Sequence, residues 1–168
     1  TNLNRIIEQV LRLVQHQMDL TGIHVQEQLE SELPLVDCDG AQIEQVLLAL
    51  LMNAIDAMPQ GGNLWITSTS SLDPKAIRIV VRDDGAGIPA EILPRIFEPF
   101  LTTKETGRGV GLGLAISNSI LERHNGTIEV QSEFGKGTVF TVTLPWEAEV
   151  TKTPAPNNEE IAAATSGR

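Results

Sequence analysis

The chain has 168 residues, 41% of them apolar, enough for one sizeable core and too few for two ordinary domains. Its formal net charge of −10, from 22 acidic against 12 basic residues, opposes a phosphate backbone and excludes a basic nucleic-acid stripe. The single cysteine, Cys38, can close no internal disulfide and has no Cys or His at zinc spacing, so a reducing, cytoplasmic setting is expected.

The start, Thr1-Asn2-Leu3-Asn4, carries neither a charged leader nor a hydrophobic signal core, and no apolar run reaches the roughly 18 residues needed to cross a bilayer. A soluble chain without membrane contact is expected. The missing initial methionine points to an excised piece whose sensor, membrane or dimerisation parts lie upstream, which leaves room for a membrane anchor in the intact protein.

Residues 4–19 place Ile6, Ile7, Val10, Leu11, Leu13, Val14 and Met18 at helical spacing behind Asn4, with Thr21-Gly22 as a stop. Ile23, Val25 and Leu29 form a short strand closed by Leu33-Pro34. The second helix has Asp39 as its cap and Ile43, Val46, Leu47, Leu50, Ala54 and Met58 along one face, and Pro59 and Gly61-Gly62 end it. Strands over 64–70 and 76–82, joined by Leu72-Asp73-Pro74-Lys75, make a hairpin.

Residues 83–111 carry glycine or proline at 85, 87, 89, 94, 99, 107, 109 and 111, which predicts an irregular segment with a short helix near Ile92 to Ile96. Loops of this length inside compact domains tend to be functional. A helix over 112–123 follows, then strands over 127–131 and 138–144 around Phe134-Gly135-Lys136-Gly137. The order predicts an α/β two-layer sandwich, with helices on one face of a mixed, mostly antiparallel sheet. Residues 1–148 are assigned to this domain, and 149–168, rich in Pro, Ala, Asn, Glu and Thr beyond position 151, to a disordered tail.

Three clusters could carry chemistry. On the second helix Ala49, Asn53 and Asp56 fall within a roughly 60° arc beside the apolar face. A carboxamide oxygen is a hard, neutral ligand suited to Mg²⁺, although taken alone Asn53 and Asp56 read as ordinary polar helix residues. In Val80-Val81-Arg82-Asp83-Asp84-Gly85-Ala86-Gly87-Ile88-Pro89 a buried strand runs into two carboxylates and two glycines. A carboxylate only accepts, so it can read the amino group of adenine, and glycines let a flat base approach the backbone. An acidic turn is the plainer alternative.

The third cluster, Gly107-Arg108-Gly109-Val110-Gly111-Leu112-Gly113-Leu114, opens a helix and offers unhindered amides to phosphate oxygens. It matches neither of the two commonest phosphate loops, and a flexible lid is a compatible reading of 101–111.

In this order and spacing the clusters resemble the GHKL ATPase and kinase superfamily, in particular its histidine-kinase branch, over roughly residues 1–145. Leu51-Met52-Asn53-Ala54-Ile55-Asp56-Ala57 is similar to the N box, and Asp83-Asp84-Gly85-Ala86-Gly87 to the first glycine box. Ile96-Phe97-Glu98-Pro99-Phe100-Leu101-Thr102-Thr103-Lys104 resembles the F box, with wording like that of nitrogen-regulation sensor kinases. Residues 107–114 resemble the second glycine box and Gly135-Lys136-Gly137-Thr138 the third.

The resemblance implies a Bergerat-type sandwich that binds ATP and Mg²⁺. Asn53, beside Asp56, would hold the metal, and Asp83 rather than Asp84 would accept from the adenine amino group. Gly85 and Gly87 would shape the base pocket, Gly109, Gly111, Leu112 and Gly113 would belong to the phosphate cradle, and Asp56, Ile88 and Thr138 would also contribute to nucleotide binding. Lys104 and Arg108 would pair with the β and γ phosphates. Phe97 and Phe100 would pack a lid against the domain.

Two departures sharpen the expectation. Related ATPases such as gyrase, MutL and the heat-shock chaperones carry a water-orienting glutamate four residues before the metal asparagine, where this chain has Ala49, so slow hydrolysis is expected. None of His16, His24 and His124 has the acidic neighbour and downstream proline of the family's phosphoacceptor, so the chain should not phosphorylate itself. The implied partners are a histidine-bearing dimerisation domain of the same kinase and the receiver domain of a response regulator. An anti-sigma-type serine kinase, a DNA-repair or topoisomerase ATPase module and a degenerate docking domain are the alternatives.

Overall fold

The computed structural model describes residues 1–101 and 111–146. Helix α1 spans Leu3–Thr21, strand β1 Ile23–Leu29, helix α2 Gly40–Ala57, strands β2 Gly62–Leu72 and β3 Lys75–Asp83, helix α3 Gly113–Arg123, and strands β4 Thr127–Glu133 and β5 Gly137–Pro145. Among the described residues, the irregular stretch after β3 holds one 3₁₀ turn, Leu93–Arg95, inside the expected short helix. The expected tail, 149–168, and Lys104, Arg108 and Gly109 lie outside the described residues.

The five strands form one sheet in the order β1-β2-β3-β5-β4. β1 and β2 pair in parallel and every other pair is antiparallel. A parallel pair needs a long crossover, and α2 supplies it. Cross-strand register aligns Leu64 with Asp83 and Thr138, and Ile66 with Val81 and Phe140. Leu64, Ile66, Ile77, Ile79, Val81, Phe140, Val142 and Leu144 are all buried, and the three helices cover this face. The alternate positions, among them Trp65, Arg78, Val80 and Thr141, are half-buried or exposed, and Arg82 lies over the Trp65 ring at 4.8 Å. The expected two-layer sandwich is the observed one.

The helices show how local chemistry sets the boundaries. Asp39 caps α2 by accepting from the Ala41 and Gln42 amides at 3.0 and 3.2 Å. α1 differs from its expectation at the start, because Asn2 rather than Asn4 is its cap and accepts from the Arg5 amide. The Asn4 carboxamide is spent elsewhere: it donates to the Glu30 carbonyl at 2.7 Å and accepts from the Ser68 hydroxyl at 2.8 Å. Leu13, placed with the apolar face by spacing, is 61% exposed and stands outside it. The buried stripe of α1 packs on α2, where a wholly buried leucine such as Leu47 contributes roughly 2 kcal/mol.

Candidate nucleotide site

The alternation of β3 turns Ile77, Ile79 and Val81 toward the helices, and Asp83 is the next residue of the same row. A carboxylate therefore occupies the end of an apolar row and is only 5% exposed. Its Oδ1 accepts from the Gly85 amide at 2.9 Å. Burial raises the carboxyl above its ordinary range, the Gly85 and Thr138 amides pull it back, and the neighbouring Asp84 charge adds to the rise.

Asp84 is placed differently. Its two oxygens accept from the Asn63 amide and from Asn63 Nδ2, both at 2.8 Å, and these bonds hold it below the usual carboxylate range. This carboxylate braces the start of β2 against the end of β3. Asp83, by contrast, is buried and accepts from the Gly85 and Thr138 amides.

The glycine turn after β3 is clamped on two sides. The Ala86 amide donates to the Ala57 carbonyl at the end of α2 at 3.0 Å, and the Ala86 carbonyl accepts from Gly135 at 2.6 Å. A Cβ on Gly85 would stand 2.5 Å from the Ala57 oxygen. Gly87 has φ +71, and a Cβ there would stand 2.2 Å from the Glu133 oxygen. The space these glycines leave open is thus already filled by the chain's own backbone. They bring the end of α2 and the β4–β5 turn together on either side of Asp83.

A residue missed by sequence reasoning completes this end. Ser132 Oγ accepts from the Ile88 amide at 2.8 Å and lies 2.9 Å from both the Gly137 oxygen and Thr138 Oγ1. Ile88 and Thr138, expected separately, are joined through it. The available signal was alternation, since Ile128, Val130 and Ser132 share one face of β4 and Ser132 stands opposite Thr138.

Along α2, Ala49, Asn53 and Ala57 recur at every fourth residue and lie on one face. Ala57 meets the glycine turn, and the Ala49 methyl lies 3.7 Å from where a Gly113 Cβ would be. Asn53 is half-buried between them, one turn from each, and makes no hydrogen bond among the described residues. Asp56, on the same side, is exposed.

At the far end, α3 begins at Gly113 behind Leu112, and no side chain among the described residues caps it. Uncapped first-turn amides are the groups of a helix that can receive an anion. Ser117 Oγ donates instead to the Gly113 carbonyl at 2.7 Å. The Gly111 carbonyl accepts from the Phe100 amide at 3.0 Å, joining the two stretches on either side of 102–110. Phe97 packs in part on the core, but Phe100, expected to pack as well, is 73% exposed with φ +67. Its reversed backbone turns the ring outward.

Residues 38–148 match the family model described as Histidine kinase-, DNA gyrase B-, and HSP90-like ATPase. The chain belongs to this family. Within it the kinase branch fits: over 144 residues the chain is 42% identical to sporulation kinase E of Bacillus subtilis (strain 168), covering 86% of this chain and 19% of that protein. The chain therefore spans about a fifth of the length of that relative.

Among solved structures, the nucleotide-free catalytic domain of histidine kinase ThkA superposes with a TM-score of 0.77 at 35% identity, covering 87% of this chain and 93% of that one. ThkA has also been solved with the response regulator protein TrrA, with a TM-score of 0.74, 32% identity and coverage of 88% and 41%. Full-length ShkA in complex with AMPPNP gives a TM-score of 0.78 at 28% identity, covering 88% of this chain and 31% of that one. The expected superfamily, fold and kinase branch are those found. No helix among the described residues is long and apolar enough to cross a membrane.

Proposed function

We propose that the chain binds ATP with Mg²⁺ along α2, the base at Asp83 and the phosphates at the start of α3, and donates the γ-phosphoryl group to a histidine on a separate dimerisation domain. The observation that carries this reading is the buried Asp83 carboxylate, held by the Gly85 amide at one end of the Asn53 face, with the uncapped start of α3 at the other. Ala57 and Ala49 are two helical turns apart, about 12 Å, a span suited to a nucleotide laid between base and phosphate sites.

Asp83 would accept from the adenine amino group and leave guanine, which presents a carbonyl there, facing a carboxylate. Asn53 fits a metal that prefers oxygen donors and retains several waters, because its carboxamide is half-buried and makes no hydrogen bond among the described residues. When bound, Mg²⁺ would neutralise charge on the phosphates. The residues of the chain position and exclude: the amides of α3 receive phosphate oxygens, and the glycine turn and Ser132 hold the base end rigid. Lys104 and Arg108 would add charge-assisted contacts to the β and γ phosphates.

Ala49 puts a methyl group beside the start of α3, where a water-activating carboxylate would have to sit. Water is then a poor nucleophile, and transfer waits for an imidazole brought in on another domain. A response-regulator receiver would take the phosphoryl group next, a reading supported by the solved pairing of ThkA with TrrA. Calorimetry with AMPPNP, with and without Mg²⁺, beside a steady-state hydrolysis assay, tests the whole proposal. Metal-dependent binding with negligible turnover is expected, and rapid turnover would replace it with an ATP-driven clamp.

A further inference from the structure

Helix α3 runs antiparallel along the first half of α2. Gly113 meets Ala49 at one end, and His124, the C-cap of α3, reaches Asp39, the N-cap of α2, at the other. His124 Nε2 accepts from the Asp39 amide at 3.1 Å, while Nδ1 lies 2.8 Å from the Ile120 carbonyl oxygen. An amide can only donate and a carbonyl can only accept. Both bonds therefore exist together only for the neutral ring with its hydrogen on Nδ1.

The rest of Asp39 serves the start of α2. Its carboxylate takes the Ala41 and Gln42 amides and its carbonyl takes the Ile43 amide, which leaves its own amide to the imidazole. Ile120 and Leu121 bury the apolar side of α3, yet apolar contact has no direction and resists sliding weakly. The two directional bonds of His124 tie the end of α3 to the start of α2. The register of α3 on α2 decides how far the amides of Gly113 and Leu114 stand from Asn53, and phosphoryl transfer is sensitive to such placement.

We propose that His124 is a positioning residue for the phosphoryl-transfer site, whose neutral ring locks α3 in register on α2 and whose protonation opens that lock. The proposal rests on the nucleotide reading given above. A proton on Nε2 would turn an acceptor into a donor facing the Asp39 amide, so affinity for nucleotide should fall as the ring is charged. The ionisable groups around it are Asp37, Cys38 and the Asp39 carboxylate on the segment entering α2, the Thr1 ammonium bonded to Val36, and Glu122 and Arg123 on α3. All of them are retained in the variants that test the idea.

The test uses the full chain as wild type, His124→Ala and His124→Gln, each checked for folding by circular dichroism. A glutamine can accept from Asp39 and donate to Ile120 but does not titrate. At about pH 8, AMPPNP with Mg²⁺ should bind the alanine variant roughly fivefold more weakly and the glutamine variant within about twofold of wild type. Once the pH is lowered far enough for nitrogen NMR to show the ring protonated, the wild type should bind roughly fivefold more weakly relative to the glutamine variant, the titration of the nucleotide being common to both.

A folded alanine variant with wild-type affinity would overturn the proposal, as would parallel pH profiles for wild type and glutamine. Nitrogen NMR of the imidazole should show the Nδ1–H tautomer at high pH, and an Nε2–H tautomer would refute the lock whatever the nucleotide does. A wild-type chain with that tautomer that binds no AMPPNP at any pH would remove the nucleotide reading itself, and this proposal with it.

Discussion

At the β3 end of the site polar groups are tied into a local network: Asp83 to Gly85, Ile88 to Ser132, and Ser132 to Thr138. At the α3 end the first-turn amides have no side-chain cap, and Asn53 makes no hydrogen bond among the described residues. Under the proposed reading the difference matches what each end would recognise. A base is flat and of fixed outline, so a preorganised, desolvated pocket can discriminate by one misplaced donor. Phosphates are charged and reoriented during transfer, so unspent donors at a helix end serve better than a finished network.

If this contrast is right, damage at the β3 end should be costly and specific. Gly87→Ala forces a side chain into a left-handed backbone against the Glu133 carbonyl and should destabilise the fold by about 4 kcal/mol, read as a loss of urea midpoint at unchanged slope. A mild effect would mean that the turn is looser than the contacts imply.

Asp83→Asn should lower AMPPNP affinity by at least about 100-fold, measured by calorimetry on folded protein. Its effect on stability should have the opposite sense. Burial raises the Asp83 carboxyl, so the stability linked to it is fully present below the ordinary carboxylate range and is lost as pH rises through the folded-state value. Asparagine cannot titrate, so the variant should keep its stability across that window while the wild type declines. Unchanged affinity in the folded variant would refute the adenine assignment.

The phosphate end should respond more gently. Asn53→Ala should abolish a Mg²⁺ enhancement of nucleotide binding of about tenfold while leaving metal-free binding and thermal stability in place. A metal effect that survives the substitution would take Asn53 out of the ligand set. The smallest effect is expected back at the β3 end, where Ser132→Ala removes one bond of a shared network, the acceptor for the Ile88 amide, and should lower stability by about 1 kcal/mol and affinity only a few fold. Were it instead silent, the base end would be less rigid than its hydrogen bonds suggest.

Much of this architecture was legible from local pattern, because helix and strand periods are imposed by backbone geometry whatever the surroundings. The Asp39 cap, the α2 stripe from Ile43 to Met58 and the β2–β3 hairpin all fall where spacing puts them. The misreadings were those of residues whose partners lie far along the chain. Asn4 has the residue type of a cap and stands just ahead of the apolar stripe, yet its bonds go to Glu30 and Ser68. Leu13 fits the helical stripe by type but lies beyond the arc that α2 covers.

The amino-acid sequence by itself determined the element order, the binary pattern that buries one face of the sheet, and the motifs that mark Asn53, Asp83 and the glycine boxes. Only the tertiary structure decided which of two adjacent carboxylates is buried and which is bonded to Asn63, 21 positions away. It also decided that Ser132 and His124 matter, the one joining the β4–β5 pair to the glycine turn and the other joining α3 to α2. The physical reason is that hydrogen bonding saturates: each donor or acceptor has a fixed capacity, and what remains for function is known only once the distant partners are in place.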